Sequence, residues 1–314
     1  MLHWMLKQLG LITSKNKLSI LIYHQVFSQK NPMRPSEPDT SEFAWQMALL
    51  GRYFNPVALP QAIELLKVGK LPANSVCVTF DDGYLNNLTV AQPVLQQYRI
   101  PATVYIATGF SSGGNMWNDR LIDLIGNPSI SEFNLSALQL ATENVSDISS
   151  RRQLAYKLIP LIKYQDYQQR INIIDRLYTD NQANEVANKM MTPDEIKQLA
   201  KLGVDIGAHT VDHPILASQN EGQQKHQIEQ SKQQLEQWLN KGVNGFAYPN
   251  GKPVEDYPLS AVDLVKQSGF EYAVSTTPGF STPVSDFHQL NRFTPWDKTP
   301  LKFHLRMIRN MLGI

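Results

Sequence analysis

Short runs of apolar, largely β-branched or aromatic residues alternate along this chain with longer stretches in which apolar positions recur every three or four residues. The short runs predict strands over 18–23, 75–80, 102–107, 204–208, 245–248 and 272–275. The longer stretches predict helices over 42–53, 61–68, 90–98, 192–202, 224–239 and 261–268. In the fifth of these, Ile228, Leu235, Trp238 and Leu239 share one face of a helix otherwise built from Gln, Lys and Glu, so that face covers a core. Strands alternating with amphipathic helices predict an α/β fold: a parallel sheet or barrel with its helices outside.

From about residue 112 to 190 the rhythm breaks. This segment is rich in Asn, Gln and Ser and carries helical stripes such as Leu154, Leu158, Leu161 and Ile171, Ile174, Leu177. It reads as a mostly helical insertion. Neither a Pro/Gly-rich linker nor a second complete core is visible, so 18–314 reads as one elaborated domain preceded by a helix or arm over 1–17. In that arm Leu2, Met5, Leu6 and Leu9 fall on one helical face with Trp4 beside it, the pattern of a short docked helix or of an interfacial anchor.

Composition narrows the function. The 29 basic and 28 acidic residues leave a formal net charge of +1 with no Lys/Arg run, which removes the electrostatic basis for nucleic-acid binding. The lone cysteine, Cys77, sits in an apolar run and is expected to pack as a small hydrophobe. No apolar stretch is long enough to span a bilayer, Lys7-Gln8 interrupts the one near the amino terminus, and no A-x-A-like cleavage site follows. A cytoplasmic protein is therefore the expectation, with membrane association through the first helix as its variant.

Three polar motifs each follow a predicted strand: Asp81-Asp82-Gly83, His209-Thr210-Val211-Asp212-His213 and Asn250-Gly251. In α/β barrels the carboxyl ends of the strands share one face, so motifs distant in sequence converge there. An isolated Asp-Asp-Gly is an ordinary turn, and His-x-x-x-His joins two rings only across a tight or helical turn. Brought together, two imidazoles and one carboxylate hold a divalent ion with open positions, and the second aspartate is left to act as a base. The same triad also serves non-haem iron oxygenases, and a barrel that binds carbohydrate without turnover is a third reading. The adjacent second aspartate and the Asn-Gly segment favour hydrolysis.

These residues resemble the polysaccharide deacetylases of the NodB-like, carbohydrate esterase family 4 type, in Thr79-Phe80-Asp81-Asp82-Gly83, His209-Thr210-x-x-His213 and Phe246-Ala247-Tyr248-Pro249-Asn250-Gly251. The resemblance runs from about Leu18 to Arg292. It implies a distorted (β/α)7-type barrel and metal-dependent hydrolysis of N-acetyl groups on a polysaccharide or oligosaccharide. By matching position, Asp81 is the general base, Asp82, His209 and His213 are ligands of one divalent ion (zinc in the family, other transition metals being alternatives), and the Asn250 backbone N–H completes an oxyanion hole. Thr210 is either a turn-stabilising hydroxyl or a group near the metal loop.

Two departures stand out. Ala247 occupies the place where many members carry an arginine that orients the catalytic aspartate, and Arg292 is the substitute candidate. The Leu-x-x-His motif that normally supplies the acid late in the chain occurs early, as Leu21-Ile22-Tyr23-His24, which resembles the circularly permuted deacetylases acting on poly-N-acetylglucosamine and related exopolysaccharides. His24 is thus the expected acid. His304, which has the same spelling in Leu301-Lys302-Phe303-His304, is expected at the flank of a helix whose stripe is Leu301, Leu305, Ile308 and Leu312. Trp117 and Trp296 are candidates for an acetyl or sugar-stacking wall as much as for packing. The insertion, which contains no histidine, is expected to shape access to the site.

Overall fold

The structure, a computed structural model, describes residues 2–313, so Met1 and Ile314 lie outside it. Nine strands occur among them: β1 (Ser19–Tyr23), β2 (Asn55–Pro56), β3 (Ser75–Phe80), β4 (Ala102–Ile106), β5 (Glu132–Phe133), β6 (Glu143–Asn144), β7 (Asp205–Ala208), β8 (Gly245–Ala247) and β9 (Tyr272–Val274). Seven form a parallel sheet in the order β1-β3-β4-β7-β8-β9, with β2 added beside β3, while β5 and β6 form a small antiparallel pair. With eleven α-helices among the described residues, the sheet curls into the distorted α/β barrel that the alternation predicts. None of these helices is long and apolar enough to cross a membrane.

Every residue of β1, β3 and β4 is buried, as expected of parallel strands covered on both faces, which explains why they read as nearly unbroken apolar runs. Alternate side chains then go to two clusters. Ile20, Cys77, Tyr105, Ala247 and Tyr272 point inward and meet Leu59, Ile63 and Leu66 of the helix Leu59–Lys67. Leu21, Val78, Val104, Ile206 and Phe246 point outward onto the surrounding helices, where Phe43, Met47, Ile228 and Val265 receive them. Cys77 is fully buried, its thiol donates to the Val57 carbonyl at 3.1 Å, and burial pushes its pKa far up, consistent with a packing role.

The two edges of the sheet, β1 and β9, are joined by an extended segment at 290–293. Leu290 bridges Val274 of β9, and Phe293 bridges Leu21 of β1. Backbone bonds run from Leu290 N–H to the Ala273 carbonyl (2.9 Å), Ser275 N–H to Leu290 (2.8 Å), Ile22 N–H to Phe293 (3.1 Å) and Phe293 N–H to Ile20 (3.0 Å). This short piece supplies the ladder bonds that both edges would otherwise lack.

Residues Gly113–Met190, together with Asn31–Pro35, form a second compact unit. It has its own apolar cluster, in which Leu121, Ile125, Phe133, Leu158, Ile174 and Leu177 are fully buried or nearly so. The outer faces of its helices carry the Asn, Gln and Ser that dominate its composition, so that core leaves little trace in the sequence. Arg34 anchors it internally, donating to Asp119 (2.6 Å) and Asp123 (3.0 Å) from a buried position. Trp117 packs within this unit under the Arg170 guanidinium, 5.6 Å from the ring centre.

The C-terminal helix, Pro300–Leu312, is rotated from the expected face. Phe303, His304, Met307, Ile308 and Met311 are buried, whereas Leu301 and Leu305 are exposed. His304 is 0% exposed, stacks on His3 and lies tilted against Tyr53 with ring centroids 5.2 Å apart, so it is interior rather than peripheral. Burial, reinforced by the neighbouring His3, lowers its pKa to about 4 and keeps the ring neutral near pH 7.

The inner space of the barrel depends on two glycines. A Cβ on Gly207 would lie 2.4 Å from the Tyr105 ring and 2.9 Å from the Gly245 carbonyl oxygen, and one on Gly245 would lie 2.5 Å from the Tyr272 hydroxyl. We predict that Gly207→Ala destabilises the fold by about 1–3 kcal/mol, the usual cost of overpacking. Urea unfolding measures this, and a loss below about 0.5 kcal/mol, the level of a neutral surface change, would show slack around Tyr105.

Candidate metal centre and active site

The carboxyl ends of β3 and β7 build the centre. After Phe80 the chain turns sharply: Asp81 N–H donates to the Tyr23 carbonyl (3.0 Å), then Asp82 (φ 77°) and Gly83 (φ 89°) both adopt left-handed conformations. The positive φ favours glycine at 83, and a Cβ there would also press on Ile106 Cδ1 at 2.9 Å. Asp82 tolerates the conformation better than most side chains, and its carbonyl is fixed by the Ala107 N–H at 3.2 Å. The turn holds both aspartates in the interior, 2% and 4% exposed.

The second half comes from the loop after β7. His209 N–H bonds to the Ile106 carbonyl (2.9 Å), and the loop then winds through left-handed Thr210 (φ 65°) and His213 (φ 50°). The His-x-x-x-His spacing is therefore closed by a tight turn rather than by a helix. Gln227, reaching in from the helix Glu221–Leu239, clamps the turn: its Oε1 accepts from the Val211 and Asp212 N–H groups (3.0 and 2.9 Å), and its Nε2 donates to Asp212 Oδ2 (2.7 Å). The Thr210 hydroxyl donates to the His209 carbonyl, a turn-stabilising role.

These two turns bring Asp82, His209 and His213 together, with one ligand atom from each lying within 4.8 Å of the others. Both imidazole Nε2 atoms lie 3.5 Å from Asp82 Oδ1, and the rings stand 4.8 Å apart. His209 Nδ1 is 2.7 Å from the Ala247 carbonyl oxygen, which only accepts, so Nδ1 carries the proton and the Nε2 lone pair faces Asp82. Asp82 Oδ1 is buried with no hydrogen-bond partner. An orphaned carboxylate oxygen between two imidazole nitrogens is costly unless something bridges them, and a divalent cation fits that donor set of one oxygen and two nitrogens. Burial favours the neutral acid at Asp82, but the imidazoles of His209, His213 and His24 outweigh it and hold the carboxyl well below its usual range.

Asp81 is held differently. Arg292 donates to it from both terminal nitrogens, Nη1 to Oδ1 and Nη2 to Oδ2, each at 2.7 Å. The guanidinium is itself fixed by the Ser275 carbonyl (2.9 Å to Nε) and the Thr79 hydroxyl (3.2 Å to Nη1), and it lies 5.6 Å from the Tyr105 ring centre. Burial raises the Asp81 pKa, yet Arg292 first, then His209 and His24, bring it below the ordinary value. The carboxylate stays ionised.

His24 follows β1 on the same face. Its carbonyl accepts from Asn87 Nδ2 (2.8 Å), and the next N–H, of Gln25, donates to Glu37 Oε2 (3.3 Å). Burial lowers the His24 pKa, but the charges of Asp82, Glu37 and Asp81 more than offset it, and the net shift is upward. Asn250 is left-handed (φ 59°), its carbonyl accepts from the Thr276 hydroxyl (2.7 Å), and its N–H has no partner among the described residues. Trp296 is 55% exposed. Gln227, Glu37, Thr79 and Ser275 were not anticipated. A glutamine aligned with the apolar Ile228–Leu235 face was the only hint among them.

Removing the guanidinium strands a buried carboxylate. Arg292→Met should cost about 3–5 kcal/mol in urea unfolding, and adding Asp81→Asn should recover part of that loss. Equal stability of the wild type and Arg292→Met would show that the pair is not needed for folding.

Comparison with known proteins places this geometry in context. The sequence profile of the polysaccharide deacetylase family matches residues 68–129 and 146–273, more than half of the chain. The Bacillus subtilis protein YxkH is 21% identical over 277 residues, covering 88% of this chain and 70% of that protein. The poly-β-1,6-N-acetyl-D-glucosamine N-deacetylase of Staphylococcus aureus is 29% identical over 123 residues, 39% of this chain and 41% of that enzyme. Among solved structures, the Streptococcus pyogenes deacetylase PplD in complex with acetate shares the fold with a TM-score of 0.62 at 19% identity, covering 94% of this chain and 98% of that one. IcaB from Ammonifex degensii does so with a TM-score of 0.60 at 20% identity, covering 94% and 97%. By the extent of its match to the family profile, the chain belongs to the polysaccharide deacetylase family.

Proposed function

We propose that this protein removes N-acetyl groups from N-acetylhexosamine units of a polysaccharide or oligosaccharide, using one divalent ion held by Asp82, His209 and His213. The observation that carries the reading is the division of labour between adjacent aspartates: Asp82 faces two imidazoles, while Asp81 is gripped by Arg292 and kept ionised. A bound divalent ion, zinc by family resemblance, supplies Lewis-acid polarisation of the acetyl carbonyl and makes water more acidic.

The chain's own groups divide the proton transfers. Asp81 accepts the proton of the attacking water, with Arg292 fixing its orientation and its charge. The Asn250 N–H donates to the acetyl oxygen as negative charge develops there. His24, its pKa raised by the surrounding carboxylates, donates a proton to the departing sugar amine. The S. aureus relative's name supports a poly-N-acetylglucosamine substrate, in line with an exopolysaccharide role.

Acetate release from acetylated glucosamine oligomers, measured with and without oxygen, tests the reading against an oxygenase and against a binding protein. Oxygen-independent release is expected. Sugar binding without acetate would overturn the hydrolytic assignment. Alanine at Asp82, His209 or His213 should lower metal content, measured by elemental analysis, and abolish release together with it. Asp81→Asn should keep its metal and lose at least about a hundredfold in kcat, the scale of a general-base contribution. Near-normal turnover by that metallated variant would remove Asp81 from the role of base. His24→Ala should slow hydrolysis by a comparable factor of about a hundred. His304→Ala, assayed as folded protein, should leave kcat near the wild-type value, and the opposite ranking would move the acid to the C-terminal helix.

A further inference from the structure

The N-terminal helix, Leu2–Thr13, is inverted relative to a water-facing surface helix. Its inward side is Leu6 and Gly10, with a Cβ at Gly10 leaving no room against Asn74, while its exposed residues are Leu2, Trp4, Met5, Leu9, Leu11 and Ile12. Every exposed residue of the helix is apolar, with Trp4 at 61% and Ile12 at 81% exposure. Solvated helices place polar residues on this side, so the face is unpartnered in water.

Charge around this face selects a partner. Neither this helix nor the C-terminal helix beside it, whose His304 stacks on His3, contains an acidic residue. The C-terminal helix exposes Leu301 and Leu305 among Lys302, Arg306 and Arg309. A surface cleft lined by Lys302, Arg306, Arg309 and Asn310 opens beside Leu305, and Asp297 satisfies only Arg306 of that group. On the first helix Lys7 is held against the Arg52 carbonyl at 3.3 Å, adding cations on a second side. An apolar helix face with an interfacial tryptophan and a basic border matches the chemistry of a lipid surface with anionic headgroups.

We propose that these two helices form a docking face for an anionic lipid bilayer, with Trp4, Met5, Leu9 and Ile12 entering the headgroup region and Lys302 and Arg309 meeting headgroup phosphates. These two helices then lie on the membrane surface. This inference does not depend on the catalytic reading, since none of these residues belongs to the metal centre.

Co-sedimentation of the full chain with vesicles of phosphatidylcholine, with and without phosphatidylglycerol, tests it. Stronger binding to the anionic vesicles, weakened by added salt, is expected. Met5→Gln combined with Ile12→Gln should lower vesicle affinity by at least about tenfold. Lys302→Gln combined with Arg309→Gln should lower it several-fold to about tenfold on anionic vesicles only. Circular dichroism and urea unfolding check that each variant is folded, and if the apolar variant does not fold, the charge variant and the salt titration decide. No binding to either vesicle, or equal binding by wild type and variants, would overturn the proposal. So would a concentration-dependent dimer in light scattering that Met5→Gln with Ile12→Gln dissolves while vesicles are ignored, because the face would then belong to a second copy.

Discussion

The buried ion pair between Arg292 and Asp81 is the constraint on which the rest of this end of the sheet depends. Two unscreened charges in a protein interior are tolerable only when they meet each other with good geometry, and here both terminal guanidinium nitrogens reach the carboxylate at 2.7 Å. The pair requires the segment at 290–293 to lie between β1 and β9, which it does through ladder bonds on both sides. It also requires the Thr79 hydroxyl and the Ser275 carbonyl to take two of the remaining donors. The ionisation of Asp81 and the closure of the sheet are one structural problem with one solution.

Much of the fold was legible because parallel strands buried on both faces leave a compositional trace that few other structures leave. Residues 75–80 are a strand to the residue, and each of the other predicted strands differs by one position at one end. Helix starts were placed late at Thr40, Leu59 and Glu221. Apolar periodicity begins only after the first turn, whereas the start is set by caps such as Asp39 and the Asn220–Gln223 capping box. The C-terminal helix shows the limit of stripe counting, because two overlapping apolar stripes are available and the one containing Phe303 and Met307 wins. It brings Phe303 into an edge contact with Trp45 at 5.6 Å and buries both methionines, Met307 and Met311. His304 follows it inward, its ring lying against His3, Tyr53 and Phe54 and its Nδ1 2.8 Å from His3 Nδ1.

Within the candidate site, the residues written as local strings could be found from sequence, since Asp81-Asp82-Gly83 and His209-x-x-x-His213 advertise their spacing. The groups that fix them could not. Gln227 acts on a loop 15 residues away, Glu37 lies in a loop with no periodicity, and Thr79 and Ser275 matter only because Arg292 happens to lie against them. Arg292 itself was reachable only by noticing that Ala247 stands where an arginine was expected, an argument from a gap rather than from a pattern.

The long span of the Arg292–Asp81 contact has a temporal consequence. The partners are separated by 211 residues in sequence, with the whole Gly113–Met190 unit intervening. Asp81 cannot be buried as an oriented, paired carboxylate until the chain has been made past Arg292 and the sheet edges have met. Partly synthesised or partly folded chains therefore carry Asp81 solvated and without its counter-ion, and the buried pair is completed only once the sheet edges meet.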